Sequence, residues 1–323
     1  MTIITSSLII LTTSVLIYFL GEKFAEASTN IGNHFNLSKS VKGATFDAIA
    51  GSMPELMVAL FSVIFFHKFE VGIGTIAGSA LFNLLIIPGI CVLISPQIFR
   101  VTNKVLSRDA LFYIISIFIL LVLVMYAKTW GLLVAIILIG TYFLYIRKII
   151  IDTKREKKEK TLKENSTQLT KEILTFISTM LLMGVATYFL TESAIHISEL
   201  LNISPIIIAF TIIAAATSIP DTVISVYNAK KGNIDDAMSN VFGSNIFDIL
   251  MGLGLPLLIY VITVGNVTII FDYLEIILGL LGATIMLFYF LIQENKLSKY
   301  EGVLLLILYI LFVIYIIHLG LNK

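Results

Sequence analysis

The sequence is poor in charged residues. Asp, Glu, Lys and Arg make up 13% of its 323 residues and nearly cancel, leaving a formal net charge of +1. A soluble domain usually carries about 25% charged residues. Hydrophobic residues reach 58%, and the mean hydropathy is +0.99. This composition excludes an ordinary soluble globular protein and predicts a polytopic protein of the lipid bilayer, with no indication of nucleic-acid binding.

Cysteine and histidine, which zinc and copper prefer as ligands, are also scarce. Cys91 is the single cysteine, so no disulfide forms within the chain. The four histidines are far apart and near the ends of predicted helices: His34, His67, His196 and His318. Histidines in such positions usually lie at the membrane interface or in solvent. No HxxxH or CxxC pattern is present. We therefore expect no transition-metal centre and no cofactor, and no obligatory protein partner is indicated.

Ten apolar stretches are long enough to cross a bilayer, which takes about 20 helical residues. They lie near residues 3–20, 41–66, 70–95, 108–127, 129–150, 172–191, 204–229, 234–263, 269–292 and 300–320. The first stretch lacks the basic segment of a signal peptide, so we expect a retained first span. Residues 151–171 form the one long charged stretch and predict a solvated loop.

The distribution of lysine and arginine predicts the orientation. If the N-terminus is outside and the loops alternate, 19 of these residues fall on the inner side and 3 on the outer side. Cytoplasmic loops carry such an excess of positive charge, and a miscounted span would have mixed the two sets. We therefore expect an outside N-terminus, a cytoplasmic 151–171 loop, and a multi-pass protein of the plasma membrane, the inner membrane of the cell.

Two short motifs recur in the two halves of the chain. Residues 52–55 read SMPE and residues 218–221 read SIPD, an offset of 166. Residues 78–83 read GSALFN and residues 243–248 read GSNIFD, an offset of 165. Two separate matches at nearly one offset indicate an internal duplication.

The duplication divides the predicted spans evenly. Residues 1–150 hold five spans with the repeated segment at 41–95, and residues 172–323 hold five with the repeated segment at 204–263. Because five is odd, the second half starts from the opposite face of the membrane. The predicted fold class is therefore an all-α membrane protein whose ten transmembrane helices form two inverted five-helix repeats, a common transporter design.

The second and seventh predicted spans are interrupted by a proline followed by an acid. Proline removes a backbone hydrogen bond, and irregular backbone is tolerated at membrane depth only where protein or a cavity satisfies it. Interrupted spans at matching positions of two repeats indicate a binding site near the bilayer midplane. The sequence predicts such a site here.

Three carboxylates lie deep in predicted spans: Glu55, Asp221 and Asp248. Each costs at least ~2.5 kcal/mol in lipid unless it faces a partner or a cavity. No Lys or Arg lies near them in the predicted spans, so a bound cation is the simplest partner. Neutral oxygen donors lie close by in sequence: Ser52, Ser79, Asn83, Thr217, Ser218 and Ser244. Such hard donors suit Ca²⁺ and Na⁺ rather than transition metals or organic substrates.

Asp47 has no acidic counterpart in the second half, where Ile213 occupies the matching position. It precedes Glu55 by a little over two helical turns, so the two side chains need not share a face. Three interpretations stay open for Asp47: an additional cation ligand, a proton carrier, or a residue near the inner mouth.

These motifs resemble the two alpha-repeats of the calcium/cation antiporter superfamily, which includes the sodium/calcium exchangers. The resemblance covers about 55 residues in each half, and GSMPE, TSIPD and GSNIFD are most similar to the potassium-dependent branch. It implies that Glu55 and Asp221 are the central Ca²⁺ ligands, also shared by Na⁺, with Asn83 and Asp248 flanking them. Asp248 matches the acid linked to potassium. The resemblance also implies Na⁺ ligands: Ser52, Ser79, Thr217, Ser218, Ser244 and the backbone carbonyls of Ala48 and Ala214.

Four positions depart from the family pattern. Gly51 stands where many sodium/calcium exchangers have Thr, and Ala50 and Ala216 replace glycines. Asp47 stands where the family has an apolar residue. These departures leave the stoichiometry and the driving ion open.

The sequence therefore predicts a secondary antiporter that exchanges Na⁺ for Ca²⁺ by alternating access. Co-transport of K⁺ is left open, and a proton-coupled antiporter of Ca²⁺ or another divalent cation is the alternative. The cations are transported, not cofactors, and no enzyme activity is expected. An intramembrane aspartyl protease using Asp221 and Asp248 would require a Gly-x-Gly-Asp motif, which neither position has. A cation channel usually builds a symmetric oligomeric pore, whereas this site closes within one chain.

Overall fold

The computed structural model describes residues 2–34, 39–155, 166–268 and 274–321. The described chain is almost entirely helical, and a single turn, Lys39–Lys42, leads into the second helix. In chain order the helices are α1 (Ile3–His34), α2 (Gly43–Gly51), α3 (Met53–Ile64), α4 (Phe69–Ile94), α5 (Asn103–Tyr126), α6 (Leu132–Arg155), α7 (Ser166–Leu201), α8 (Pro205–Thr217), α9 (Ile219–Lys230), α10 (Ile234–Thr263), α11 (Leu274–Ile292) and α12 (Lys299–Leu321).

Eight of these helices are long and apolar enough to span a membrane on their own. The other four form two bent pairs, α2 with α3 at 48° and α8 with α9 at 42°. Counting each bent pair as one span gives ten, as predicted. The all-α fold class is confirmed, and the interrupted spans are the predicted second and seventh.

Several helices extend further than the apolar stretches. α1 continues to His34, whereas the first stretch ends near residue 20. α6 ends at Arg155 and α7 begins at Ser166, so both enter the stretch predicted as a loop. The reason is that Lys, Arg, Glu and Gln are good helix formers, and low hydropathy marks the edge of the lipid rather than the end of the helix. Residues 156–165 and 269–273 lie outside the described residues.

The repeated motif forms a break with a new helix start in each half. Between α2 and α3, Ser52 leaves the helical conformation at φ −88° and ψ 5°, and Pro54 then occupies the first turn of α3. Ser218 and Pro220 repeat this arrangement between α8 and α9. Proline is well tolerated in a first turn, where its missing N–H would have no intrahelical partner. The proline therefore starts a helix and does not kink the interior of one.

The two repeats cross at the centre of the molecule. A Cβ atom on Gly78 of α4 would lie 2.2 Å from the carbonyl oxygen of Phe210 in α8. At the matched Gly243 of α10, a Cβ atom would lie 2.9 Å from the Cβ of Ala48 in α2. Small residues allow such close approach of helices in membranes. Each repeat thus places an unbroken helix directly against the broken helix of the other.

Two short antiparallel strand pairs join the halves at their loops. β1 (Phe99–Arg100) pairs with β4 (Lys296–Leu297), and β2 (Thr129–Trp130) pairs with β3 (Val267–Thr268). β1 follows the third span and β3 follows the eighth, while β2 follows the fourth and β4 the ninth. Inverted symmetry therefore exchanges one strand pair with the other, as two inverted repeats require.

Burial decreases from the centre outward. In its most apolar part α4 has 78% of its residues buried, compared with 17% for both α1 and α12. α1 packs along α7 and also contacts α9. The exposed side chains of the outer helices are largely Leu, Ile, Val and Phe, as expected for surfaces that face lipid. The buried polar residues concentrate around the two breaks, in the interior.

Candidate cation-binding site

All three predicted carboxylates converge on the interior, and each is 0% exposed. Glu55 lies in the first turn of α3 and Asp221 in the first turn of α9, directly after each break. The N-terminus of a helix carries a partial positive charge that favours an acid there. Asp248 lies in α10, where a π-helical stretch, Asp248–Gly252, begins.

Two serine hydroxyls, one from each repeat, contact Glu55, and one of them also contacts Asp248. Ser79 Oγ is 3.2 Å from Glu55 Oε1 and 3.2 Å from Asp248 Oδ2. Ser218 Oγ is 3.3 Å from Glu55 Oε1 and 3.0 Å from Ser79 Oγ. Within the described chain, Glu55 Oε2 and Asp248 Oδ1 are buried without a hydrogen-bond partner. This side of the site therefore presents two open carboxylate oxygens.

Asp221 is held by donors on both of its oxygens. Ser244 Oγ donates to Oδ1 at 2.7 Å, and Asn83 Nδ2 donates to Oδ2 at 3.2 Å. Asn240 Nδ2 is a further 3.4 Å from Oδ1. Asn83 Nδ2 is also 3.1 Å from Asn245 Oδ1, and Asn83 Oδ1 has no partner among the described residues. The nitrogen of Asn83 thus orients Asp221, while its oxygen is left open.

The remaining predicted hydroxyls lie at the breaks themselves. Ser52 Oγ is 3.5 Å from the carbonyl oxygen of Ser244, and Ser244 Oγ is 3.4 Å from the carbonyl oxygen of Ala48. Thr217 Oγ1 donates to the carbonyl oxygen of Ile213 in its own helix at 3.0 Å. These contacts place all three predicted hydroxyls beside the carboxylates. Ser244 donates to Asp221, Thr217 also reaches Glu55, and Ser52 also reaches Asp221 and Asp248.

The two predicted carbonyl ligands occupy matched positions before the breaks. The carbonyl oxygen of Ala48 accepts the N–H of Ser52, and that of Ala214 accepts the N–H of Ser218, both at 3.0 Å. Each carbonyl therefore retains one helical hydrogen bond. Each also accepts a hydroxyl, Ala48 from Ser244 at 3.4 Å and Ala214 from Thr217 at 3.3 Å. A carbonyl oxygen has two lone pairs, so a cation bound here would replace the long hydroxyl contact.

Asp47 is also buried, and its carboxylate faces α1. Thr29 of α1 donates its hydroxyl to Asp47 Oδ1 at 3.0 Å, while Oδ2 has no partner among the described residues. Ser28 of α1 donates to the adjacent carbonyl of Phe46 at 3.0 Å. The structure thus places Asp47 at the contact between α1 and α2, and its role as ligand or proton carrier stays a prediction.

Gly51, one of the departures from the family pattern, packs directly against the side chain of Asp221. A Cβ atom at residue 51 would lie 1.7 Å from Asp221 Oδ1 and 2.6 Å from Asp221 Cγ. Any larger residue would therefore displace the carboxylate. The space that a threonine side chain would fill is occupied here by the acid itself.

Two amides of α10 also belong to the site and were not among the predicted residues. Asn240 and Asn245 both contact residues of the site. Asn240, Ser244 and Asp248 follow one another at intervals of four residues, which places them on one face of a helix. A polar stripe of this kind in an apolar span was the available signal.

The donor set is mixed rather than purely acidic. Among the described residues, no group of three or more His, Cys, Asp or Glu side chains is arranged to hold a metal ion by itself. A cation here would need the hydroxyl, amide and carbonyl oxygens as well as the carboxylates, as Ca²⁺ with its six to eight oxygen ligands does. The buried Arg108 binds Asp109, with Nε 2.6 Å from Oδ1, so this guanidinium has its own carboxylate outside the site.

The chain is similar to several known membrane proteins. An uncharacterized membrane protein of Methanocaldococcus jannaschii is 28% identical over 296 residues, which cover 92% of this chain and 93% of that protein. Sodium/potassium/calcium exchanger 2 of Gallus gallus is 40% identical over 130 residues, which are 39% of this chain and only 19% of that protein.

The fold is similar to that of the sodium-calcium exchanger NCX_Mj, solved after soaking with 10 mM Na⁺ and zero Ca²⁺. The TM-score is 0.70 at 24% identity, covering 96% of this chain and 98% of that chain. Residues 5–150 and 171–318 match the family described as Sodium/calcium exchanger protein. Because this match extends over both repeats, the chain belongs to the sodium/calcium exchanger family.

Proposed function

We propose that this chain is a secondary antiporter that exchanges Na⁺ for Ca²⁺ across the membrane by alternating access. The observation that carries the proposal is the convergence of Glu55, Asp221 and Asp248 at two matched helix breaks, surrounded by neutral oxygen donors from both repeats. The family to which the chain belongs supports the same activity.

Exchange follows from competition for one set of ligands. In this proposal Glu55 and Asp221 bind Ca²⁺, with Asn83 and Asp248 flanking them. Na⁺ ions occupy the same carboxylates together with oxygens at and beside the breaks: Ser52, Ser79, Thr217, Ser218, Ser244 and the carbonyls of Ala48 and Ala214. Because Na⁺ and Ca²⁺ cannot hold these carboxylates at once, binding of one releases the other. The two broken spans then open the site to opposite faces in turn.

Potassium is a further candidate substrate. Sodium/potassium/calcium exchanger 2 matches part of this chain, and Asp248 has an open oxygen beside Ser79. We propose Asp248 as the residue on which K⁺ co-transport would depend. Asp47, which lies on α2 against Thr29 of α1, would be the residue to examine if protons drive transport instead.

The membrane arrangement completes the proposal. The two inverted repeats, residues 1–150 and 172–323, work as one unit in the plasma membrane, with the N-terminus outside and the 151–171 segment in the cytoplasm. The paired pattern of breaks serves ion binding, and no enzymatic reaction is assigned to it.

Proteoliposomes test the function directly. Vesicles preloaded with Na⁺ are diluted into Na⁺-free buffer containing ⁴⁵Ca²⁺, with and without K⁺. We expect uptake that requires internal Na⁺, and a stimulation by K⁺ would assign the potassium-dependent branch. Uptake that ignores Na⁺ and follows a pH gradient would contradict Na⁺ coupling in favour of protons.

A further inference from the structure

We propose that Asn240 is an additional cation ligand. Together with Asp221 it forms an approach subsite between the central site and the membrane face at which α9 ends and α10 begins. The subsite would take a hard cation, Ca²⁺ or Na⁺, that has kept part of its hydration shell. This inference rests on the proposed cation site and adds a residue on one side of it.

The surroundings of Asn240 fix the orientation of its amide. Nδ2 is 3.0 Å from Ser225 Oγ and 3.4 Å from both the carbonyl oxygen and Oδ1 of Asp221. Carbonyl and carboxylate oxygens accept hydrogen bonds only, so the nitrogen must face them. Asn240 Oδ1 therefore points elsewhere.

That oxygen has no visible partner. Asn240 is 0% exposed, and its Oδ1 has no hydrogen-bond partner in the described chain. A buried acceptor left without a partner is costly, and proteins rarely retain one without a reason. A cation at Asn240 Oδ1 would satisfy this acceptor, and the carboxylate of Asp221, 3.4 Å from Nδ2 of the same amide, is near enough to attract it.

The other repeat offers no equivalent ligand. The offset between the repeats matches Asn240 with Thr75 of α4. Thr75 is equally buried, but its hydroxyl donates to the carbonyl oxygen of Val71 in its own helix at 2.9 Å. At this matched pair of positions an unpartnered oxygen is therefore present on the α9–α10 side and absent on the other, so the two approaches differ there.

A buried ion pair holds Asn240 in place. The neighbouring Ser239 donates its hydroxyl to Asp109 Oδ2 at 2.9 Å. Asp109 also accepts from Arg108 and from Tyr145, at 2.6 Å and 2.9 Å on Oδ1. These bonds link α10 to α5 and α6 and restrict rotation of α10 at the residue next to Asn240. The amide is thus presented to Asp221 by a rigid support.

The test compares cation affinity at the two membrane faces. Right-side-out and inside-out vesicles are assayed by ⁴⁵Ca²⁺/Ca²⁺ self-exchange, with the inner compartment saturated and the outer Ca²⁺ concentration varied. Lys231→Cys in a Cys91→Ala background, labelled with a membrane-impermeant maleimide, identifies the α9–α10 face. We expect Asn240→Leu to weaken apparent Ca²⁺ affinity about tenfold at that face, equivalent to the loss of ~1.4 kcal/mol, and to leave the opposite face within about twofold.

Two further variants make the result specific. Asn240→Asp retains an oxygen ligand and is expected to keep or raise affinity at the α9–α10 face. Thr75→Val is the matched control and is expected to shift neither face. An equal shift at both faces in Asn240→Leu, or no shift at either, would overturn the subsite. Because self-exchange needs no Na⁺, a protein that fails to couple Ca²⁺ uptake to Na⁺ would contradict the proposed function while still reporting on Asn240.

Discussion

At the scale of single residues, the two repeats are similar in pattern but different in detail. Asp221 has donors on both oxygens, whereas Glu55 and Asp248 each keep an oxygen without a partner in the described chain. Gly51 leaves room for Asp221, while its matched residue in the second repeat is Thr217. The site therefore has one well-held carboxylate and two open ones, and substitutions on the two sides should act differently.

Gly51→Ala tests the held carboxylate. A methyl group at this position would displace Asp221 Oδ1, 1.7 Å away, from its bond to Ser244. Hydrogen bonds to charged groups contribute ~1.5–3 kcal/mol, so we expect apparent Ca²⁺ affinity in vesicle uptake to fall about tenfold or more. Gly140→Ala is the matched control, since a Cβ there meets nothing within 4 Å. An unchanged affinity for Gly51→Ala would show that Asp221 does not bind Ca²⁺ in this position.

Glu55→Gln tests an open carboxylate. The amide keeps the size of the side chain but removes the charge that attracts the cation. We expect apparent Ca²⁺ affinity to fall at least about thirtyfold, the equivalent of ~2 kcal/mol, with transport abolished at ordinary concentrations. Folding should survive, because removal of a buried charge relieves a desolvation cost. Isothermal titration calorimetry of the purified protein measures the binding.

The exposed Glu70 in the first turn of α4 supplies the control for this substitution. Glu70→Gln should leave binding and transport unchanged. Retained Ca²⁺ transport in Glu55→Gln would remove Glu55 from the ligand set, whatever the control shows.

At the scale of helices, the sequence predicted the breaks but not their surroundings. Pro54 and Pro220 in apolar runs indicated interrupted spans, because proline cannot continue a helical hydrogen-bond pattern. Contacts such as that of Asn240 with Asp221 were missed, since they depend on how α9 and α10 cross. The extra length of α1 was also missed, because hydropathy reports contact with lipid and not the end of a helix.

The ion pair of α5 gives an element-scale prediction. Asp109 accepts from Arg108, Tyr145 and Ser239, so it joins three helices. Removing one partner of a buried ion pair costs ~3–5 kcal/mol, whereas replacing both by apolar residues is often neutral or stabilising. We expect Asp109→Leu to lower the thermal unfolding temperature in detergent markedly.

The double variant Arg108→Met with Asp109→Leu is the control for that experiment. It should recover most of the lost stability, because no buried charge is left without its partner. If the single and double variants unfold at the same temperature, the helices are held by packing alone, and the ion pair contributes nothing to their position.

At the scale of the whole molecule, the ten spans were predicted by counting apolar stretches. The two inverted repeats were predicted from the nearly constant offset between the repeated motifs. The crossing of the repeats did not follow, because it rests on contacts between distant residues such as Gly78 with Phe210 and Gly243 with Ala48. The strand pairs at the loops were equally inaccessible, since two residues per strand give no periodic pattern. What the sequence predicted was topology, and what it left open was how the halves fit together.

The predicted orientation has a direct test. Single cysteines replace the exposed Lys128, between α5 and α6, and Lys231, after α9, in a Cys91→Ala background. With intact cells, a membrane-impermeant maleimide should label the residue 128 variant at once and the residue 231 variant only after permeabilisation. The reverse pattern would invert the whole molecule in the membrane, and labelling of both without permeabilisation would contradict the span count.

The crossing of the repeats has a consequence for biogenesis. Ser218, which contacts Glu55, follows it by 163 residues in the chain. At a synthesis rate of ~5–20 residues per second, about 8 to 30 seconds separate the emergence of the two. During that interval Glu55 lacks its partner Ser218, so the first repeat must stay in or beside the insertion machinery. The first repeat therefore has to be protected from lipid and from proteases until the second repeat is inserted. A ribosome that stalls between the repeats would leave an unpaired first half, which we expect to be degraded.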